Sequence, residues 1–202
     1  MATTTPNYGW PVPTSTDLVK DGATAIEALG DAIDATVFAQ NSALTLVKSQ
    51  VIGTTVASVN VTSAFSTTYD AYKIIIAGGL GSTNQSMSLK LGATVTGYYS
   101  GINYVAFSGG AGTRTNNNAA SWLTTSFFNT SNISFHAELV NPFLAKNTLV
   151  NFWYNDARAV SGEAGAGGGF LNDTTSYTDF TITTAGGTIT GGTIYVYGYV
   201  KV

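Results

Sequence analysis

One histidine, no cysteine and eleven carboxylates bound the chemistry open to this 202-residue chain. His136 lies in an alternating run with Ser134 and Glu138 two residues to either side, so all three share one face of a strand. A Ser–His–acid relay needs the nucleophile within hydrogen-bond reach of the imidazole. Side chains two apart on one strand stand parallel at about 7 Å, so this spacing predicts a surface or interface histidine. Asp156, Glu163, Asp173 and Asp179 flank a Gly-rich stretch, and a suitably separated pair of them could cut a glycosidic bond. Asp156 and Asp173, however, fall in turn contexts, where Asp caps local backbone. No Gly-Lys-Ser/Thr follows Gly165–Gly169, so that run is no phosphate loop and reads as a flexible surface loop. A chain with one imidazole and no thiol makes a poor zinc site. No catalytic residue, metal ligand or cofactor is expected.

Recognition is the chemistry that remains. Charged residues make up only 9% of the chain, where about 25% is usual, and neutral Thr, Ser and Asn take their place. A net charge of −3 and a pI near 4.8 leave no basic footprint for nucleic acid. The long charge-free stretches are broken by Gly, Ser, Thr or Asn, so no membrane insertion is expected. Residues 109–118 read as a polar loop in which Arg114 could meet an anionic group and Asn116, Asn117 and Asn118 could bond sugar hydroxyls. Tyr98, Tyr99 and Tyr104 could stack on a sugar ring or belong to the core. Residues 161–176 form a second candidate binding loop.

Three kinds of element must position these groups. Residues 1–18 contain Pro6, Tyr8, Trp10, Pro11 and Pro13, and proline biases its neighbours to extended backbone. This segment is expected to be an extended arm, with Tyr8, Trp10 and Pro11 as its docking residues. Residues 1–43 hold Lys20 against Asp17, Asp21, Glu27, Asp31 and Asp34, and residues 19–43 carry a helical pattern with Thr16, Asp17 or Asp21 as cap. Ile26, Leu29, Ile33 and Val37 fall on one face of that helix. Four such side chains cannot offset the entropy of ordering the helix, so it must dock, and a short coiled coil between identical chains is the expected solution. Docking on the chain's own β domain is the alternative.

From Leu44 the period becomes two. Met87, Leu89 and Leu91, then Ile133, Phe135, Ala137 and Leu139 alternate with polar or charged residues, and Val150, Phe152 and Tyr154 alternate with Asn151 and Trp153. Gly78-Gly79, Asn141-Pro142, Asn155-Asp156, Gly186-Gly187 and Gly191-Gly192 punctuate the runs. Short strands with little helix between them predict a mainly β domain over 44–202, an antiparallel sandwich or jelly roll.

Taken in order, several segments resemble the bacteriophage tail fibre and minor tail protein family. Asn7-Tyr8-Gly9-Trp10-Pro11-Val12-Pro13 with the Ala/Ile/Leu/Asp helix is similar to the family's N-terminal segment. Residues 51–53 and 64–74, Leu139-Val140-Asn141-Pro142-Phe143, and the closing 186–199 run resemble strands and hairpins of its distal domain. The resemblance implies a structural virion protein, not an enzyme. It would be a homotrimer with an arm that docks on other proteins of the tail tip or baseplate, a helical stalk, and a distal domain that binds a glycan or protein of the host surface. The location implied is the virion tail. The chain lacks a long repetitive shaft, which leaves a capsid decoration or head-fibre protein as the alternative.

Overall fold

The computed structural model describes residues 3–14, 18, 21–40, 43–158 and 160–201, without the side chains of residues 3 and 38–40. The chain divides into two compact units, Met1–Ala43 and Leu44–Val202.

In the first unit, β1 (Thr3–Thr4) pairs with β2 (Pro11–Val12). The expected extended arm is therefore a hairpin. Its turn closes through Gly9 at φ 66° and through Thr5, whose amide donates to the Trp10 carbonyl at 2.9 Å. Pro11 opens its strand, where a missing N–H costs no ladder bond. The helix α1 spans Gly22–Gln40. Trp10 Nε1 donates to Thr36 Oγ1 at 2.8 Å, and that hydroxyl donates on to the Ala32 carbonyl at 2.8 Å, so the hairpin is tied to the helix. The expected caps Thr16 and Asp17 lie outside the described residues, while Asp21 immediately precedes the helix.

The second unit is mainly β and antiparallel. Its strands are β3 (Leu44–Val51), β4 (Ser58–Val61), β5 (Ala71–Ala77), β6 (Leu80–Gly81), β7 (Gln85–Leu91), β8 (Tyr98–Ala106) and β9 (Ala111–Ala119). They continue with β10 (Trp122–Phe128), β11 (Ile133–Val140), β12 (Thr148–Asn155), β13 (Glu163–Leu171), β14 (Phe180–Thr184), β15 (Ile189–Thr190) and β16 (Thr193–Tyr199). One layer runs β3-β16-β5-β11-β12-β13-β8-β9 and the other β4-β14-β7-β10. They join where β10 pairs with the start of β11, Phe128 opposite Ile133.

The period-two runs explain the core. Phe135, Ala137 and Leu139 of β11 are buried with Val150, Phe152 and Tyr154 of β12, and Leu89 and Leu91 of β7 join the same cluster. Tyr98 and Trp122, from opposite layers, meet edge to face at 5.0 Å. The buried Tyr98 hydroxyl accepts from the Leu91 amide at 2.8 Å, so its polar end is satisfied.

Two expected loops are strands. Residues 109–118 fall mostly in β9, whose polar sequence carries no apolar alternation for a pattern to register. The Gly165–Gly169 run lies in β13, paired along its whole length with β12 and β8. Its inward positions explain the glycines. A Cβ on Gly165 would stand 2.5 Å from the Tyr154 ring, and one on Gly167 would stand 2.6 Å from the Phe152 ring. The strand gives up side chains so that core aromatics can fill the space.

Candidate functional site

Of the four expected receptor contacts, three are engaged in holding β9. Arg114 faces the core side of that strand. Its guanidinium donates to both oxygens of Glu163, at 2.6 and 2.8 Å, and to Tyr154 Oη at 3.0 Å, and lies 3.8 Å over the Tyr104 ring. Tyr154 Oη in turn donates to Glu163 Oε1 at 2.8 Å. Burial works against the Glu163 charge, but the bonds from Arg114 and Tyr154 outweigh it and hold the carboxyl below its usual value. Burial and the adjacent carboxylate push the Tyr154 phenol up. The cluster is a bidentate tie between β9 and β13, and it uses the cation that the sequence offered to an anionic ligand.

Asn116 also turns inward, donating to Ser100 Oγ at 2.7 Å and to the Leu123 carbonyl at 3.3 Å. Asn118 stands at φ 52° in an irregular stretch of the β8–β9 ladder and accepts from the Gly97 amide at 2.8 Å. Asn117 and Asn118 are exposed, and of the two only Asn117 has no side-chain hydrogen bond among the described residues.

That outer face carries the feature the sequence reading missed. Strand register lines up Trp153, Ala166, Asn103 and Thr113 across β12, β13, β8 and β9. The next outward row is Asn151, Gly168, Gly101 and Thr115. Side chains on β13 and at Gly101 are minimal, while β12 and β9 carry taller ones, so the face sinks into an open trough. One open stretch of about 670 Å³ reaches from Trp153 to Thr113. A second, of about 360 Å³, continues past Gly101 and Gly168 to the Tyr99–Phe170 stack, whose rings lie parallel at 5.0 Å. Six residues along these strands amount to about 20 Å of length.

The trough is uncharged, since no Asp, Glu, Lys or Arg lines either stretch. The side chains of Asn103, Thr113 and Thr115 take part in no hydrogen bond among the described residues. Trp153 stacks one ring face on His136 at 5.3 Å, with Lys73 Nζ at 5.5 Å from its centroid. Its other neighbour in register is Ala166, whose methyl leaves that side of the indole open to the trough. Alternation of Ala164, Ala166 and Gly168 against Gly165, Gly167 and Gly169 was the signal available in the sequence, but both sets are small, so no period stands out.

The remaining polar residues are committed elsewhere. Ser134 Oγ accepts from the Asn155 amide at 3.1 Å, and Glu138 accepts from Tyr199 Oη at 2.6 Å, so neither serves His136. Burial, then the Lys73 charge, holds the imidazole below its usual value. Asp156 is buried against Arg158, and Asp173 accepts from the Thr175 amide and Tyr177 Oη. Among the described residues no group of His and carboxylates forms a metal cluster. No helix among the described residues is long and apolar enough to cross a membrane.

In the first unit, Tyr8 stacks on Trp10 at 5.1 Å and stays largely exposed, while Pro11 is held in the hairpin. Leu29 and Ile33 are half-buried, whereas Ile26 and Val37 are 65% and 54% exposed. Comparison with protein-family models, curated proteins and solved structures gives no match to this chain.

Proposed function

We propose that this chain is a structural protein of a bacteriophage tail, a short fibre or tail-tip receptor-binding protein that attaches the virion to the host surface. The observation that carries the reading is the exposure of Ile26 and Val37 on α1 in a unit separate from the β unit. Apolar side chains so exposed on a helix call for cover, and identical helices in a trimeric coiled coil supply it with knobs for one another's holes. Trimerisation also multiplies a binding face. Three weak polar contacts then act together, and avidity replaces single-site affinity.

In this reading the Tyr8–Trp10 hairpin docks on a tail-tip or baseplate protein, and the β unit offers the uncharged trough to a glycan or protein of the host. Immunogold electron microscopy of virions carrying this chain, with an antibody against residues 44–202, tests it. Label at the tail tip is expected. Label over the capsid would replace the proposal with a decoration or head-fibre role. Deleting residues 3–13 should leave the β unit folded and remove the chain from virions, and retained incorporation would overturn the docking role of the hairpin.

A further inference from the structure

We infer that the outer trough between β12 and β9 binds a linear, uncharged oligosaccharide, with the open face of Trp153 as its stacking platform. The inference names the ligand class for the attachment reading above and rests on it for the ligand's source on the host surface. Four observations select this chemistry. No charged residue lines either stretch, and the Lys73 ammonium reaches only the Trp153 end, so a chain of charged repeats would find no counter-charge along the trough. Asn103, Thr113 and Thr115 project amide and hydroxyl groups with no hydrogen-bond partner among the described residues, matching the donor and acceptor pairs of sugar hydroxyls. Trp153 offers an apolar ring held rigid from behind by His136, so stacking a pyranose on it loses little side-chain entropy. The floor is small where the fold does not require it, because a Cβ at Gly101 meets nothing within 4 Å.

An extended peptide fits less well. The backbone groups under the trough are already paired between β12, β13, β8 and β9, so a peptide could add no strand there and would rely on side chains alone. Each stretch by itself falls within the range of about 300–1,000 Å³ typical of ligand clefts, and the open ends let a polymer run through.

The test uses the full chain on an array of purified bacterial surface polysaccharides with neutral and with anionic repeats, alongside binding to intact cells. Retention on a neutral polysaccharide is expected. Trp153→Ala and Gly101→Leu should each weaken it by about tenfold, the size of a lost stacking contact or a blocked subsite. Gly101→Leu guards against misfolding as the cause, since its side chain enters open space and the unfolding midpoint should not drop. Retention only on anionic repeats, retention on none, or unchanged binding by both variants would overturn the inference. Cell binding that survives both variants would overturn the sugar trough and leave attachment standing. Polysaccharide binding without cell binding would do the reverse.

Discussion

On the inward face of β13, Gly165, Gly167 and Gly169 stand against the Tyr154 ring, the Phe152 ring and the Tyr99 carbonyl, and a Cβ at any of them would collide. On the outward face, Ala164, Ala166 and Gly168 border a trough, and Gly101 beside them on β8 has open space where its Cβ would be. Both faces are built of small residues, but packing constrains them differently. Each inward glycine meets a ring or backbone. Outward, a Cβ at Gly168 meets the movable Asn151 amide at 2.9 Å, and one at Gly101 meets nothing within 4 Å. A small residue that the core demands reports on the fold. One that the core does not demand reports on what approaches from outside. The same contrast separates the halves of the long sheet. Toward β16 the outer face is tall and tied to itself, with Tyr199 bonded to Glu138 and Lys73 over Trp153. Between β12 and β9 it is low, at Ala166, Gly168 and Gly101, and the polar side chains of Asn103, Thr113 and Thr115 are unspent.

The contrast breaks most visibly at Gly169. Gly169→Ala drives a Cβ into the backbone oxygen of Tyr99, which cannot rotate away, and should cost about 3 kcal/mol or more. Urea denaturation would read this, and a variant as stable as the parent would show that the inward glycines are not required. Next in size is the tie that holds β9 to β13. Glu163→Ala strands Arg114 against Tyr104 and should cost about 2 kcal/mol, less than for a fully buried pair because the guanidinium is 32% exposed. The corresponding fall in melting temperature is roughly 4–8 °C. Because the folded carboxyl titrates below its unfolded value of about 4.3, this contribution is complete above that pH and is lost as pH falls through the folded value. In Glu163→Gln the acid-side loss should be shallower, and an unaltered profile would place the acid sensitivity elsewhere.

Gly101→Ala sharpens the comparison from the other side. The substitution should be neutral or stabilise by about 0.5 kcal/mol, since it removes unfolded-state freedom and meets no neighbour. A clear loss of stability would mean that the trough floor is small for the sake of the fold. The smallest effect belongs to the tall half. His136 is held below its ordinary value of about 6.5, so as pH falls through that value the unfolded chain takes up the proton first and stability declines. Solvent screening keeps the change under about 1 kcal/mol. His136→Gln should flatten thermal stability between neutral pH and the lower value, and a slope equal to the parent's would assign it to another group.

Where apolar residues recur at every second position, the sequence was transparent. Phe135, Ala137 and Leu139, set against Ser134, His136 and Glu138, announced both their strand and its inward direction, and Val150, Phe152 and Tyr154 announced their strand. β13 was opaque because its two faces are small for different reasons, and a run of Gly and Ala has the composition of a loop. β9 was opaque because Thr113, Arg114, Thr115 and Asn116 are polar on both faces. The role of Arg114 depended on a partner 49 residues away, Glu163, which only the pairing of β8 with both β9 and β13 brings into reach. Asn103 was overlooked because an outward amide in the middle of a strand carries no mark until register is known. The hairpin of residues 3–12 was missed because prolines signal extended backbone, and the turn at Gly9 that folds it back depends on Thr5.

The most direct test of the outer face pairs two readings on one variant, the full chain carrying Gly101→Leu: its unfolding midpoint and its binding to cells that the parent chain binds. The account predicts a midpoint no lower than the parent's, with binding weakened by about tenfold as leucine fills the trough. A lowered midpoint, or full binding by a stable variant, would contradict it.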